Sequence, residues 1–252
     1  MPRRTALLFL LTFTSFLGAK TLPPDTNTSE SVTTIKGWGH VIDPDSDCTI
    51  RATPTGDSVS ITIPESAHDY AAELHRWNAP RVLTKIKGDF IAEVQITGEF
   101  SPGDQSTIDN RKSYNGAGLL LVADPQNHLS LQRAAFRTDD GHVRHYLNLE
   151  LRQDGRSITS QYSMDLKDRD TYLRLERHDT HITASVSQDG LQWRSYPPLD
   201  TNLPDKLHIG IESISSSNTP FTSTFTHFSL YHRTNSSPTS TDNASSQSAA
   251  AR

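Results

Sequence analysis

The chain has 252 residues, with 24 basic and 29 acidic side chains and a formal net charge of −5. An acidic chain without a basic cluster argues against nucleic acid as a partner, because nucleic-acid-binding surfaces carry positive charge. Cys48 is the single cysteine, so an internal disulfide is excluded and the burial of apolar side chains must hold the fold together. The length suits one all-β domain of sandwich or barrel type.

The N-terminal segment has the pattern of an export signal. Arg3 and Arg4 precede an apolar run over residues 6–17, which is too short to span a bilayer as a stable anchor. We therefore expect residues 1–19 to be a signal peptide that is cleaved after Ala19. The mature protein would be secreted, periplasmic or held at the cell surface, with no membrane insertion after cleavage.

Two further segments have compositions that are typical of disordered chain. Residues 20–33 are rich in Pro, Thr and Ser, and residues 234–252 form a Ser/Thr-rich tail with almost nothing to bury. We predict a disordered linker at the first and a disordered tail at the second. The folded domain then comprises residues 34–233.

Within this domain, apolar and polar residues alternate with a period of two. Residues 58–63, 90–97 and 206–212 each place their apolar side chains on one face of a strand. Asp-Gly pairs predict hairpin turns at residues 154–155 and 189–190. More than ten short strands separated by tight turns indicate two stacked antiparallel sheets. At most one short helix is expected, within residues 68–79, because Pro80 would end it.

Four motifs follow one another in an order typical of a known family, at residues 38–48, 68–83, 114–121 and 172–177. The chain resembles the uncharacterised concanavalin A-like domain family that includes the regulation-of-enolase protein, from about residue 37 to residue 231. This resemblance implies a jelly-roll sandwich of the lectin and glucanase superfamily. It does not supply an activity, because one fold carries many functions.

The strand at residues 145–152 offers the first candidate surface. Three leucines occupy one face, and the opposite face carries an aromatic ring, an amide, a carboxylate and a guanidinium, from Tyr146, Asn148, Glu150 and Arg152. Such a set can bind a polyhydroxylated ligand through stacking and hydrogen bonds. Related proteins hold ligands across the concave sheet, where we expect Arg174 to join this set. The alternative is a solvated sheet face with cross-strand ion pairs.

A second candidate surface lies around residues 68–81. Its polar and aromatic residues include Trp77, Asn78 and Arg81, and a segment held over a sheet is a common place for function. A structural cover for the core is an equally good interpretation. Tyr114 and Asn115 complete the candidate ligand contacts, because they follow a long polar loop and lead into a strand.

The residues support three functional hypotheses. The first is non-covalent binding of a glycan or oligosaccharide by an exported module. The second is a glycoside-cleaving enzyme with Glu150 as the acid or base and Glu212 or Glu73 as the other carboxylate. The Glu-x-Asp-x-x-Glu string of sandwich glucanases is absent from the sequence. The third is a protein-interaction module without a sugar ligand, which includes a possible homodimer.

One stretch has the spacing of metal ligands. Asp43, Asp45 and Asp47 alternate, and carboxylates spaced in this way can converge on calcium. The EF-hand pattern fails, since Cys48 stands where glycine belongs and Pro54 where the bidentate glutamate belongs. A solvated acidic turn is the main interpretation, calcium is a weak alternative, and no other cofactor is expected.

Overall fold

The computed structural model describes residues 33–233, apart from the side chains of residues 160–164. The predicted signal peptide at residues 1–19, residues 20–32 of the predicted linker and the predicted tail at residues 234–252 lie outside the described residues. Within residues 33–233, no helix is long and apolar enough to cross a membrane.

The first sheet has eight antiparallel strands. In spatial order they are β1 (Thr34–Ile35), β2 (Gly39–Ile42), β7 (Arg81–Lys87), β17 (Lys206–Ser215), β9 (Tyr114–Asp124), β10 (Asn127–Arg137), β11 (Val143–Gln153) and β12 (Arg156–Asp165).

The second sheet also has eight strands. In spatial order they are β15 (Arg194–Ser195), β14 (His181–Ser187), β13 (Thr171–His178), β8 (Phe90–Thr97), β18 (Phe221–His232), β4 (Ser58–Ile63) and β3 (Thr49–Ala52), with β16 (Leu199–Asp200) also paired to β14. The predicted all-β sandwich of two antiparallel sheets is confirmed.

The core lies between the two sheets, and the alternation of the sequence positions it. Along β8, residues 90, 92, 94 and 96 are buried and the residues between them are only partly covered. Leu147, Leu149 and Leu151 of β11 face the same core from the first sheet. Both predicted Asp-Gly turns connect paired strands, β11 with β12 and β14 with β15. Asp154 and Gly155 have φ of 51° and 73°, the conformation that favours an Asp-Gly pair in a two-residue hairpin.

Residues 68–80, here called the arm, cover part of the outer face of the first sheet. The arm contains β5 (Tyr70–Ala71), a 3-10 turn (Ala72–Leu74) and β6 (Arg76–Trp77), which pairs with β5. This short turn agrees with the expectation of at most one short helix within residues 68–79. His68 exchanges two backbone hydrogen bonds with Ser215 of β17, at 2.8 and 2.9 Å, and these hold the start of the arm extended. Tyr70 and Ala79 then pack on a small apolar cluster of the sheet.

Gly118 shows how closely the strands at the centre of the first sheet approach one another. A Cβ atom at this position would lie 1.9 Å from the carbonyl oxygen of Leu131 on β10. We expect Gly118→Ala to lower the free energy of unfolding by about 3 kcal/mol, because the sheet must deform to admit the methyl group. Denaturant unfolding at equilibrium measures this change.

Gly141→Ala is the matched control for this prediction. Gly141 lies in an open turn with no atom within 4 Å of an added Cβ, and only its φ of 83° opposes the substitution. We expect a loss of about 1 kcal/mol there. Equal losses in the two variants would contradict the argument from strand approach.

Candidate ligand-binding cavity

A cavity of about 580 Å³ opens on the face of the first sheet that is turned away from the core. Strands β9, β10, β11 and β17 form its floor. The arm forms one wall, and residues 101–113, here called the flanking loop, form another. Arg137 fixes the flanking loop by donating to the carbonyl oxygens of Pro102 and Gly103, at 2.7–3.1 Å. The volume lies within the range of about 300–1,000 Å³ that is typical of small-molecule sites.

The register of the strands brings the polar residues of the floor into one row. Gln132 stands opposite Asn148 on one side and opposite Gly118 on the other, and Gly118 stands opposite Glu212. Gly118 has no side chain, so Glu212 of β17 can reach across β9 to β10. The amide nitrogen Nε2 of Gln132 donates to Oε1 of Glu212 at 2.7 Å.

Glu212 is the most deeply buried carboxyl group of the floor, with no exposed surface. The hydroxyl of Ser130 also donates to its Oε1 atom. Its Oε2 atom is buried without a hydrogen-bond partner among the described residues. Burial raises the pKa of Glu212 to about 7, although the bonds from Ser130 and Gln132 favour the charged form. Glu212 therefore titrates near neutral pH.

Two tyrosines bring aromatic surface to the floor. Tyr114 lies over Gly116, where an added Cβ would be 2.6 Å from the tyrosine hydroxyl, and this hydroxyl donates to Oε1 of Gln132 at 2.7 Å. Burial raises the pKa of Tyr114 well above its ordinary value. Tyr146 lies edge-on to Phe136, with 5.6 Å between ring centroids, and both rings line the cavity.

Arg152 joins the sheet to the arm and is 7% exposed. Its Nη2 atom lies 2.6 Å from Glu150 of the same strand and 2.6 Å from Glu73 of the arm. Burial raises the pKa of Glu150, and the neighbouring Arg152 opposes this rise. The guanidinium is thus occupied by two carboxylates, which makes Arg152 a positioning residue for Glu150 and for the arm.

Three cavity residues of β10, His128, Ser130 and Gln132, were not among the candidates from the sequence, whereas Asp69 belongs to the second candidate surface around residues 68–81. Asp69 of the arm accepts a hydrogen bond from the backbone of Tyr70 at 2.8 Å, and burial raises its pKa to about 6. Burial lowers the pKa of His128 to about 4, so this ring is neutral at pH 7. His128, Ser130 and Gln132 alternate with the leucines of β10, the same signal that identified residues 145–152.

Arg174 lies elsewhere, and its predicted place in the candidate surface is wrong. It belongs to β13 of the second sheet, where its Nε donates to Glu93 at 2.8 Å. Its guanidinium carbon lies 3.9 Å from the ring centroid of Trp193. The alternation of β13 predicts a polar face correctly, but the pairing of β13 with β8 and β14 puts that face on the other sheet.

Five other candidates do not line the cavity: Arg152, Trp77, Asn78, Arg81 and Asn115. Asn78 donates to Asp45 at 2.6 Å and to the carbonyl oxygen of Ala67 at 2.9 Å, and Arg81 donates to the carbonyl oxygens of Trp77 and Ala79. These contacts fit the interpretation of a structural cover. Asn115 is buried and accepts a hydrogen bond from Ser215 at 3.0 Å.

The three aspartates considered for calcium bind different partners. Asp43 accepts from the backbone of Cys48 at 3.0 Å, Asp45 accepts from Asn78, and Asp47 lies 2.8 Å from Nε2 of His68. Asp47, Cys48 and His68 each offer a ligand atom within 4.8 Å of the others. Calcium binding by Asp43, Asp45 and Asp47 stays a prediction.

A family model described as "Protein of unknown function (DUF1349)" matches residues 40–233. The chain belongs to this family. Comparison with curated proteins finds no match. The chain is similar to a functionally unknown protein from Saccharomyces cerevisiae, with 17% identity and a TM-score of 0.62, over 80% of this chain and 100% of that one.

Two further solved structures are similar to this chain. A mutant of the GH43 protein BlXynB from Bacillus licheniformis is similar with 12% identity and a TM-score of 0.51, over 71% of this chain and 37% of that one. The carbohydrate-binding module CBM66 from Bacillus subtilis has 10% identity and a TM-score of 0.44, over 78% of this chain and 98% of that one. The chain thus shares a sandwich fold with the yeast protein and with part of the GH43 protein.

The pKa of Glu212 makes the stability of the protein depend on pH. Folding raises the pKa from an ordinary 4.5 to about 7, so the folded state binds this proton more tightly. The resulting stabilisation is fully present below pH 4.5 and is lost as the pH rises through 7. Between these limits we expect wild type to lose about 3 kcal/mol of unfolding free energy relative to Glu212→Gln.

Denaturant unfolding of both proteins across this pH range measures the difference. His128 titrates in the opposite sense, because its folded pKa is lowered, and the subtraction removes its contribution. Glu176→Gln is the control, since Glu176 is partly exposed on the second sheet beside Arg174. If the difference in unfolding free energy between wild type and Glu212→Gln does not change with pH, the raised pKa of Glu212 is wrong.

Proposed function

We propose that this protein is exported and binds a glycan non-covalently in the cavity of the first sheet. The observation that carries the proposal is the composition of the cavity floor. Tyr114 and Tyr146 offer aromatic faces beside the amides of Gln132 and Asn148 and the carboxylate of Glu150. Sugar rings present apolar faces and rows of hydroxyls, and such a floor can stack on the first and hydrogen-bond to the second.

The arrangement of the walls supports the same proposal. Arg111 of the flanking loop lies 3.4 Å from Glu73 of the arm, so the two walls of the cavity hold each other in place. The arm is held by the contact of Arg152 with Glu73 and by the backbone bonds of His68. A preformed site keeps the entropy lost on binding small. The resemblance to the regulation-of-enolase protein, which the sequence motifs suggest, stays a prediction.

The test is the melting temperature of the protein against neutral, acidic and amino oligosaccharides, with and without calcium. A ligand at a hundred times its dissociation constant stabilises the folded state by about 2.7 kcal/mol, which raises the melting temperature by several degrees. We expect this rise to be lost in Tyr146→Ala and strongly reduced in Asn148→Ala, because both side chains line the floor.

Arg174→Ala is the matched control, since Arg174 lies on the second sheet and should leave the ligand shift unchanged. A shift that Arg174→Ala removes and Tyr146→Ala retains would move the site to the second sheet and contradict the proposal. If no sugar raises the melting temperature, glycan binding is wrong and a protein-interaction module becomes the better hypothesis.

A glycoside-cleaving enzyme is the second candidate function. Burial raises the pKa of Glu150, and a raised carboxyl pKa in a cavity is typical of a general acid. Arg152, at 2.6 Å, opposes this role by favouring the charged form. New reducing ends that wild type releases and Glu150→Gln does not would establish cleavage. Binding without any product would support non-covalent glycan binding and contradict cleavage.

A further inference from the structure

We infer that the ligand of this cavity carries a positively charged amino group, as an amino sugar does, and that the carboxyl groups of Asp69 and Glu212 receive it. This inference rests on the proposed glycan-binding function and specifies the class of sugar. It follows from which charged groups of the cavity already have a partner of opposite charge and which do not.

The basic residues that line the cavity are all paired. Arg111 lies 3.4 Å from Glu73, Lys112 lies 3.2 Å from Asp139, and Arg144 lies 2.9 Å from Asp165. His128 also lines the cavity, but burial keeps this ring neutral at pH 7. The described part of the cavity therefore offers a ligand no cation that lacks a carboxylate partner.

Two of the four acidic residues that line the cavity are paired as well. Glu73 and Glu150 share the guanidinium of Arg152, each at 2.6 Å. Asp69 and Glu212 have no ion pair within 4.0 Å among the described residues. The cavity thus has an excess of negative groups, located where the arm meets the floor.

Glu212 shows where a positively charged group of the ligand would bind. Its side chain is completely buried, its Oε1 atom accepts both available hydrogen bonds, and its Oε2 atom has no partner among the described residues. A buried charge without a partner is strongly unfavourable, so this oxygen either keeps a proton or receives a cation. Burial raises the pKa values of both Asp69 and Glu212, although Arg81, which stands opposite Glu212 on β7, favours the charged form of Glu212.

An ammonium group suits this position better than other ligand groups. It supplies a unit of positive charge and three hydrogen-bond donors, enough for both carboxyl groups. Tyr114 and Tyr146 line the same cavity, and aromatic faces attract cations. An acidic sugar would add a further carboxylate to a cavity with no unpaired cation, so we expect it to bind poorly.

Three tetrasaccharides that differ at one substituent test the inference: β-1,4-linked tetramers of glucosamine, N-acetylglucosamine and glucose. The first carries an amine at C2, the second an uncharged amide and the third a hydroxyl. By titration calorimetry on the full chain, we expect the glucosamine tetramer to bind roughly tenfold to a hundredfold more tightly than the other two, the range for a hydrogen bond to a charged group.

Two variants separate the charge from the shape of the site. Glu212→Gln and Asp69→Asn remove a carboxylate while keeping the size of the side chain. Each should reduce the ratio of the glucosamine-tetramer affinity to the glucose-tetramer affinity by about tenfold. Glu176→Gln, on the second sheet, is the control and should keep the full preference. Thermal unfolding verifies that each variant is folded.

The outcomes distinguish this inference from the function on which it rests. Comparable affinities for all three tetramers would overturn the amino-sugar inference and leave glycan binding intact. A preference for glucosamine that persists in both variants would also overturn it, because the charge would then be recognised elsewhere. If none of the three tetramers binds, and the wider panel of oligosaccharides also fails, both proposals are wrong.

Discussion

The alternation of apolar and polar residues along the central strands of the first sheet is the constraint on which the rest of the structure depends. Ile211, Leu119, Leu131 and Leu149 stand opposite one another in a row across four strands, all fully buried against the second sheet. Burying a side chain of this kind contributes about 1.5–3 kcal/mol. Cys48 is the single cysteine, so no internal disulfide can add to this core.

The same alternation creates the cavity. Because successive side chains of a strand point to opposite faces, residues that flank the buried row on β10, β11 and β17 must point away from the core. A shift of one residue in register would place leucines in the cavity and carboxylates in the core. The position of Glu212, Gln132 and Asn148 is therefore coupled to the packing that stabilises the protein.

The residues that form the floor of the cavity lower the stability of the folded protein, although they are the residues that would bind a ligand. Glu212 is fully buried with one oxygen unpaired, and Gly118 and Gly116 give up side-chain contacts so that Glu212 and Tyr114 can reach the centre of the sheet. Arg152 reduces the electrostatic cost of burying acidic groups here, because it pairs with Glu73 and Glu150. Sites that a ligand must complete often retain such unsatisfied groups in the free protein.

The sequence by itself determined the strands and the face on which Tyr146, Asn148 and Glu150 lie, through its alternation, and both hairpins, through its Asp-Gly pairs. Alternation and turn residues are local properties of the chain. Only the tertiary structure decided which sheet each strand joins, and for this reason Arg174 was placed on the wrong surface. The same limit applies to Asp69, which belongs to the second candidate surface but approaches the floor only through the pairing of His68 with Ser215. Pairing between residues so distant in sequence follows from packing of the whole domain, which no local pattern encodes.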